Sequence, residues 1–348
     1  MINLRAAFDE VLKGRSLNAV EAEGVIGEIL DDVVPDALVA GFLVALKMKG
    51  EAAAELTGGA RAMRKRARTL DLNGGNVLDT AGTGGDGAGT FNISTAAAMV
   101  AAAAGVPVAK HGNRAISGRV GAADVLERFG VKIDLDAAGL RRCLDQAGCC
   151  FVFAPAYHPA LARLAVLRRT LGIRTLFNLI APLSNPARPL RQLLGVSEPR
   201  LLRPMAEALA ALGVLHAMVV HGNDGLDEIS LGASTRVVEV KGRDLRDYEI
   251  APEDFGLTPA SAASFLTADA QEATEMLRRT LAGDPGPAQD VLALNAGAAI
   301  YVGDGAASLA AGVNLAKKII ASGRPLETIE RMRRASSGEI QAPALKSE

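Results

Sequence analysis

Five glycines fall within eight consecutive positions of this 348-residue chain, and no other segment constrains its fold as strongly; they are Gly82, Gly84, Gly85, Gly87 and Gly89. Glycine adopts positive φ angles at little cost and lets a ligand approach the main chain without meeting a Cβ atom. Successive N–H groups in such a turn form a concave anion-binding surface. The alanine-rich stretch 95–104 predicts a following helix, whose N-terminal end adds positive potential. The segment therefore predicts a phosphate-binding loop.

Two nucleotide-binding motifs contain a similar loop, but the flanking residues argue against both. Gly82, Gly84 and Gly87 satisfy G-x-G-x-x-G, yet the dinucleotide fold also needs an acidic residue about 20 positions later to hold the ribose hydroxyls. Here the apolar run 106–109 is followed by a cationic segment, 110–114, which suits more phosphate. The P-loop pattern fails because no Gly-Lys-Ser/Thr closes the loop. These residues favour an enzyme that holds a phosphorylated sugar.

The composition is that of a protein with a large core and almost no net charge. Of its residues 49% are hydrophobic and the formal net charge is −1, so we expect no general attraction to nucleic acids or acidic membranes. No apolar run approaches the roughly 18 residues of a membrane-spanning helix. Cys143, Cys149 and Cys150 are odd in number and fit neither a metal-binding nor a disulfide pattern, which is typical of a reducing compartment. We therefore expect a cytoplasmic protein with no nucleic-acid partner and no membrane partner.

Residues 1–70 predict a small helical domain. Apolar residues recur there at helical spacing. Asn18 followed by Glu21 is a capping-box pattern that begins the second helix. A third helix is predicted over 36–48, between a proline and a glycine, and a fourth over 51–68.

The predicted fourth helix ends in five cations, Arg61, Arg64, Lys65, Arg66 and Arg68. Cations at a helix C-terminus interact favourably with the helix dipole and with solvent, and we interpret the cluster in that way. A binding patch for a polyanion is the alternative.

From about residue 75 the pattern changes to short apolar strands that alternate with alanine-rich helices, which is typical of a parallel α/β sheet. The proline-rich stretch 155–195 interrupts this pattern, and we expect it to pack with the N-terminal helices. The predicted fold class is therefore α/β, with a small helical domain at 1–70 (completed by about 160–195) and a large, discontinuous α/β domain over 75–345. We predict a mostly parallel central sheet with strands at 76–79, 106–110, 149–153, 213–220 and 235–240.

Several motifs occur in a fixed order and spacing along the chain, in segments 79–95, 110–117, 121–127, 154–159, 168–172, 175–178, 221–228 and 295–299. In this order they closely resemble the motifs of the anthranilate phosphoribosyltransferases, which belong to the nucleoside phosphorylase-like phosphoribosyltransferases. The likeness spans roughly residues 4–333. Any one motif is moderately specific, whereas all of them in register are highly specific.

The resemblance implies a helical domain, an α/β domain and a substrate cleft at the hinge between them. It implies transfer of the phosphoribosyl group of phosphoribosyl pyrophosphate (PRPP) to the amine of anthranilate, in tryptophan biosynthesis, with Mg²⁺ as cofactor and two ions expected. It also implies a homodimer formed through the helical domain. Association with a glutamine amidotransferase of anthranilate synthase is a further expectation.

The resemblance also assigns site residues by position. Gly82, Asn113 and Arg168 correspond to anthranilate contacts, and Ser94, Asp227 and Glu228 correspond to metal ligands. The PRPP site is assigned to Gly82, Gly85, Asp86, Thr90, Asn92, Ile93, Ser94, Thr95, Lys110, His111, Gly112, Asn113, Arg114, Ser117 and Gly118.

These residue types suit the chemistry. Mg²⁺ prefers oxygen ligands and neutralises the pyrophosphate leaving group. The attacking aromatic amine is neutral at pH 7, so we assign no catalytic acid or base and expect catalysis by positioning and electrostatics. The planar guanidinium of Arg168 suits a carboxylate.

Some alternatives remain open at the level of sequence. Without the resemblance, Asp227 and Glu228 fit an exposed turn, and His111 fits a core histidine. Arg168, beside Arg169, then fits a solvated helix face. His158 is assigned a structural role. Ala181 stands where the family usually has glycine, and Gly118 where many members have serine. A pyrimidine nucleoside phosphorylase of the same fold is the rival enzyme, and a nucleic-acid-binding relative is the rival without activity.

Overall fold

The computed structural model describes residues 2–72, 76–115 and 120–339 of the chain. Its N-terminal part is a group of four helices, as predicted. Asn18 and Glu21 form the expected capping box, in which the Asn18 side chain accepts from the Glu21 N–H and the Glu21 side chain accepts from the Asn18 N–H. Gly50 ends the third helix at φ +88. The four helices are α1 (Leu4–Leu12), α2 (Ala19–Leu30), α3 (Asp36–Lys49) and α4 (Ala53–Arg66).

The described part of the rest of the chain forms one seven-stranded sheet, which confirms the α/β fold with a mostly parallel sheet. The strand order is β3-β2-β1-β4-β5-β6-β7. The first five of these strands are parallel, and β6 and β7 join them antiparallel. The strands are β1 (Leu78–Gly82), β2 (Val108–Gly112), β3 (Cys149–Phe153), β4 (Arg191–Gly195), β5 (His216–Gly222), β6 (Thr235–Lys241) and β7 (Asp244–Ile250).

Helices cover both faces of this sheet. The alanine-rich α5 is buried along almost its whole length, because a helix of small residues can pack closely against its neighbours. The helices after α4 are α5 (Ile93–Ala103), α6 (Ala122–Arg128), α7 (Ala137–Ala147), α8 (Ala154–Tyr157), α9 (Leu164–Leu171), α10 (Leu176–Ile180), α11 (Leu202–Ala211), α12 (Ala270–Leu281), α13 (Pro287–Val302), α14 (Leu309–Ala321) and α15 (Arg324–Ser337). None in the described segments is long and apolar enough to cross a bilayer.

The core consists of two apolar clusters, one on each side of the sheet. Along β5, Met218 and Val220 belong to one cluster and Val219 to the other, as the period of two in a strand requires. The second cluster also contains the N-terminal helices and residues of α9 and α10, such as Phe177. This cluster also contains residues of strands β4, β5 and β6, so it does not separate a helical domain from the sheet. The predicted domain boundaries, at 1–70 with 160–195 and at 75–345, therefore stay a prediction.

The sheet order creates a crevice at the carboxyl end of β1. The chain passes from β1 to β2 and β3 on one side, and returns to place β4 on the other side. In open α/β sheets, ligands bind outside the carboxyl ends of the strands at such a reversal. Gly82 ends β1 and Gly195 ends β4, and the two are paired in register. The glycine loop therefore begins at the point where the topology favours a binding site.

Candidate functional site

A cleft of about 360 Å³ opens at the carboxyl ends of β1 and β2. It collects nearly all of the residues that the sequence assigned to binding. Ser117 and Gly118 lie outside the described residues. The assigned residues that line the cleft are Gly82, Gly85, Asp86, Thr90, Asn92, Ile93, Ser94, Lys110, His111, Gly112, Asn113, Arg114, Arg168, Asp227 and Glu228.

Thr95 is the described exception. It is fully buried and does not contribute to the lining. Its N–H donates to the carbonyl oxygen of Asn92 at 3.1 Å, and its hydroxyl has no described partner. Thr95 follows Ser94 in α5, and successive helical residues point about 100° apart. The side chain of Ser94 therefore reaches the cleft and that of Thr95 does not, and the assignment of Thr95 to the PRPP site stays a prediction.

The glycine loop has the backbone that the sequence predicted. Gly84, Gly85, Gly87 and Gly89 have φ angles of +64, +80, +71 and +71. This is the left-handed region, which residues with a Cβ atom adopt only at a cost. Four of the five glycines are therefore required by the conformation of the loop.

The loop is held from two sides. The N–H of Gly84 donates to Oδ2 of Asp227 at 2.7 Å, although the two residues are 143 positions apart. On the other side, the guanidinium of Arg174 donates to the carbonyl oxygen of Thr83 at 2.8 Å and also to that of Gly84. Thr83 further donates its N–H to the Gly195 carbonyl at 2.9 Å. The loop is thus fixed to both neighbouring parts of the cleft before any ligand binds.

Gly82 is needed for a different reason, since its φ angle is not positive. A Cβ atom at Gly82 would lie 2.6 Å from Oδ2 of Asp227, and one at Gly195 would lie 1.5 Å from the Asp227 carbonyl oxygen. Both strand ends must lack side chains so that the turn carrying Asp227 and Glu228 can pack against them.

Three carboxyl groups, those of Asp86, Asp227 and Glu228, line the cleft beside the loop and influence one another electrostatically. Burial first, and then the neighbouring Asp86, raise the pKa of Asp227 to about 7. Burial and the charge of Asp227 also raise the pKa of Glu228 well above its usual range, which Lys110 partly opposes. Like charges brought together in this way favour a bound cation.

The donor set fits Mg²⁺. In the described residues no three side chains of His, Cys, Asp or Glu form a complete ligand set. Mg²⁺ usually keeps several waters and is held by one or two carboxylates together with substrate phosphates. Asp227, Glu228 and the hydroxyl of Ser94 suit that mode.

Lys110 lies at the floor of the cleft and is almost fully buried. Its ammonium group donates to the Ser94 hydroxyl at 3.1 Å and to the carbonyl oxygen of Thr80. Burial lowers the pKa of Lys110, and the nearby carboxylates of Asp79 and Glu228 oppose this shift. The ammonium therefore fixes Ser94 and adds positive potential below the start of α5.

Asp79, at the base of the cleft, is completely buried. Its carboxylate accepts from the His111 N–H at 3.0 Å and from the Asn185 amide at 2.9 Å. Burial raises the pKa of Asp79 to about 6, while Lys110 lowers it. This carboxylate joins β1 to β2 and to the segment before β4, so its role is to hold the cleft together.

The wall of the cleft opposite the glycine loop is largely apolar and carries two histidines, His111 and His158. The rings of His111 and His158 lie edge to face with centroids 5.3 Å apart. Burial and the neighbouring ring lower the pKa of His111 well below its usual range, and burial lowers that of His158 to about 4. Both rings are therefore neutral at pH 7, and the buried Nε2 atom of each lacks a partner among the described residues.

Cationic and amide groups border this wall. Arg168 is half-buried at the end of α9, and burial lowers the pKa of its guanidinium. Asn113 accepts the Arg114 N–H at 2.7 Å. The guanidinium of Arg114 itself donates to Glu127 of α6 at 2.7 Å, which directs it towards that helix.

Several lining residues were not assigned from the sequence. Asn178, Phe177, Pro182 and Met63 line the cleft, as does His158, which had been assigned a structural role. Arg174 was missed although it immediately precedes the motif 175–178. Its position between two quoted motifs was the available signal, but no local pattern shows that its partners lie in the glycine loop.

Models of one family match most of the chain. A glycosyl transferase family model, that of the helical bundle domain, matches residues 5–67, and the model of the a/b domain matches residues 74–326. The anthranilate phosphoribosyltransferase of Chloroflexus aggregans is 48% identical over 340 residues, which are 97% of this chain and 100% of that protein.

Two solved structures have the same fold along nearly the whole chain. The anthranilate phosphoribosyltransferase of Thermus thermophilus superimposes with a TM-score of 0.90 at 42% identity and covers 95% of this chain and 99% of its own. The Saccharomyces cerevisiae enzyme, solved in complex with PRPP and Mg, has a TM-score of 0.86 at 26% identity and covers 96% and 98%.

Proposed function

Since this chain belongs to the anthranilate phosphoribosyltransferase family and transfers the phosphoribosyl group of PRPP to anthranilate with Mg²⁺, we propose that the cleft at the end of β1 performs this reaction. The products are N-(5-phosphoribosyl)anthranilate and pyrophosphate, and the reaction belongs to tryptophan biosynthesis.

We assign the phosphates of PRPP to the glycine loop and the start of α5. Positive φ angles at Gly84 and Gly85 bring bare backbone to the cleft, and such turns bind anions. Asn92 and Ser94 are placed at the N-terminal end of α5, where the helix dipole favours phosphate. Lys110 contributes positive charge from below.

We assign Mg²⁺ to Asp227, Glu228 and Ser94, and we propose two ions. When bound, Mg²⁺ neutralises charge on the departing pyrophosphate. One observation carries the proposal: the Gly84 N–H binds the same Asp227 carboxylate whose pKa is raised to about 7. The loop that would hold the sugar and the acids that would hold the metal are therefore in direct contact.

We assign anthranilate to the wall that carries Arg168, Asn113 and the two histidines. A guanidinium can bind both oxygens of a carboxylate. Neutral His111 and His158 present flat, uncharged surfaces suited to an aromatic ring. Because the attacking amine is neutral, these residues need only orient it towards the anomeric carbon and exclude water.

The test is the disappearance of anthranilate fluorescence. Wild-type protein should consume anthranilate only when PRPP and Mg²⁺ are both present. Glu228→Gln should lose most of this activity while retaining its thermal transition, because the amide leaves the packing unchanged and binds a cation weakly. Full activity of Glu228→Gln at limiting Mg²⁺ would show that the reaction does not take place in this cleft.

We further propose that two copies of the chain associate through their helical parts. Large hydrophobic side chains are exposed there, with Met48 at 84%, Val33 at 68% and Leu12 at 63%. Val166 of α9 is exposed to 63% as well. Met48→Glu should shift the protein from dimer to monomer in light scattering, whereas Leu215→Glu, a change at an exposed residue outside these helices, should leave the dimer intact.

We propose that the protein works in the cytoplasm, which agrees with its three buried free cysteines. We also propose that it can associate with the glutamine amidotransferase of anthranilate synthase. Sedimentation of the two proteins mixed at equal concentration tests this association, and independent sedimentation would contradict it.

A further inference from the structure

The basic cluster at the end of α4 separates into three groups in the structure. Arg66 forms an ion pair with Asp31, with Nε 2.6 Å from Oδ1. Lys65 and Arg68 are exposed to solvent. Arg61 and Arg64 turn instead towards a second cavity, so the interpretation of the whole cluster as a solvated helix end does not account for them.

This second cavity has a volume of about 460 Å³ and shares no lining residue with the cleft. It lies between the end of α4, the segment that leads into β4, and the end of α11. A third arginine, Arg188, enters it from the segment before β4. The cavity is lined by Arg61, Arg64, Arg188, Pro189, Leu190, Ala211, Leu212 and Gly213.

The three guanidinium groups have no carboxylate partner among the described residues, and no acidic side chain is found in the cavity lining. Their described hydrogen bonds are to backbone carbonyls: Arg61 donates to Ala211 at 3.2 Å and Arg64 donates through Nε to Leu183 at 2.8 Å. Burial, and then the charge of Arg188, lower the pKa of Arg64 to about 10, and the buried carboxylate of Asp79 opposes this shift. The three guanidinium groups thus concentrate positive charge in a cavity whose described lining contains no acidic side chain.

The backbone holds Arg188 in this position at a cost. Its φ angle is +49, in the left-handed region that a residue with a side chain rarely adopts. Such strained positions persist only where the surrounding structure enforces them, and they occur often at ligand sites. Pro189 on one side and the hydrogen bond from the Arg188 N–H to the Asn185 carbonyl on the other fix the turn.

We propose that this cavity, here called the arginine pocket, binds a small phosphorylated anion with at least two negative charges. Each guanidinium offers two parallel N–H donors that match phosphate oxygens. Three guanidinium groups carry more positive charge than a single carboxylate ligand could neutralise, which favours an anion with at least two negative charges. The volume exceeds that of inorganic phosphate, so the pocket also accommodates pyrophosphate or a phosphorylated sugar. This site is separate from the cleft and does not depend on the assignments made there.

The arginine pocket lies directly behind the wall of the cleft. Met63, which lines the cleft, is followed by Arg64, which lines the pocket. Pro182 of the cleft is followed by Leu183, whose carbonyl accepts from Arg64. An anion that fixes Arg64 therefore also fixes this part of the cleft wall.

Site-resolved modification by phenylglyoxal, a reagent selective for arginine, tests the proposal on the full-length protein. Peptide mass spectrometry follows the modification of Arg61, Arg188 and the exposed Arg68 separately, so binding in the cleft does not interfere. The probes are inorganic phosphate, pyrophosphate and ribose 5-phosphate, with benzoate as the carboxylate control. We expect a phosphate compound to protect Arg61 and Arg188, with saturation, while Arg68 stays reactive.

A pair of variants that remove equal charge supplies the second measurement. Arg61→Gln combined with Arg188→Gln should weaken binding of the protecting anion in calorimetry by about tenfold or more, because charge-assisted hydrogen bonds are lost. Lys65→Gln combined with Arg68→Gln should leave this affinity unchanged. Equal protection of Arg68, equal losses in both variants, or protection by benzoate as strong as by phosphate would each overturn the proposal. If a variant does not fold, the protection of Arg61 and Arg188 from phenylglyoxal in the wild-type protein still tests the proposal.

Discussion

The guanidinium of Arg174 donates a hydrogen bond of 2.8 Å to the carbonyl oxygen of Thr83, a residue 91 positions earlier in the chain. A second donor of the same group reaches the carbonyl of Gly84. Arg174 lies just before α10, in the part of the chain that packs with the N-terminal helices, whereas Thr83 begins the glycine loop. This one side chain therefore connects the two halves of the cleft.

Removing this connection should weaken PRPP binding more than anthranilate binding. Arg174→Ala loses hydrogen bonds from a charged group, each worth about 1.5–3 kcal/mol, so we expect the KM for PRPP to rise about tenfold or more. Arg174→Lys keeps the charge but loses the planar guanidinium, so its KM for PRPP should lie between those of the wild-type protein and Arg174→Ala. Steady-state kinetics with each substrate varied in turn checks this, and an unchanged KM for PRPP in Arg174→Ala would contradict it.

Two glycine substitutions separate backbone strain from contact with Arg174. Gly85 and Gly87 both have positive φ, but a Cβ atom at Gly85 would lie 1.4 Å from Nη1 of Arg174, whereas one at Gly87 meets nothing within 4 Å. Each alanine should cost about 1–2 kcal/mol in backbone strain. Gly85→Ala should additionally impair PRPP binding.

A double-mutant cycle makes this comparison sharper. In the Arg174→Ala background the extra effect of Gly85→Ala should disappear, because the clashing side chain is gone. Strictly additive effects on kcat/KM would show that Gly85 and Arg174 act independently.

Arg168 should act on anthranilate. Arg168→Ala should raise the KM for anthranilate by a factor that corresponds to about 1.5–3 kcal/mol, the range for a hydrogen bond to a charged group. Arg169, the next residue, is exposed and outside the cleft lining, so Arg169→Ala is the matched control. Equal KM values for the two variants would exclude Arg168 from the anthranilate site.

The pKa of Asp227 predicts how pH and Mg²⁺ affect stability. Burial and Asp86 raise this pKa to about 7, from about 3.9 in an unfolded chain. Without metal the folded protein holds more protons between these values, so this contribution to the free energy of unfolding is complete at low pH and is lost as pH rises through 7. Asp79, with its pKa raised to about 6, contributes with the same sign.

Mg²⁺ binds the ionised carboxylates, so its stabilising effect should grow from about pH 5 to about pH 8. Thermal denaturation with and without Mg²⁺ measures this difference. Asp227→Asn should reduce it strongly. Asp224→Asn is the control, because Asp224 is exposed in the same turn and its bond from the Ser230 hydroxyl can be kept by the amide. A metal effect that is the same at both pH values would contradict the assigned ligands.

The sequence predicted the elements whose signals are local. The glycine loop, the capping box at Asn18 and the stop at Gly50 each depend on a few adjacent residues. Strand β4 was missed because its five residues lie in a proline-rich stretch with helical patterns on both sides. Strand β7 was missed because it is an edge strand whose residues are mostly exposed and charged, so it lacks apolar alternation.

At the site, too, the sequence predicted only what depends on neighbouring residues. Asp227 and Glu228 were assigned to the site through the family resemblance, because their spacing in the sequence does not indicate a site near the glycine loop. Contacts such as Arg174 to Thr83 depend on how distant segments pack, and no short pattern encodes them. Thr95 was assigned to the site with its neighbours, although the rotation of α5 turns its side chain away from the cleft.

A crystal structure of this protein with PRPP and Mg²⁺ tests the central claim most directly. We predict density for the phosphates along the glycine loop and the start of α5, and Mg²⁺ about 2.0–2.1 Å from oxygens of Asp227 or Glu228. PRPP bound elsewhere, or a metal ion held without either of these carboxylates, would contradict the account.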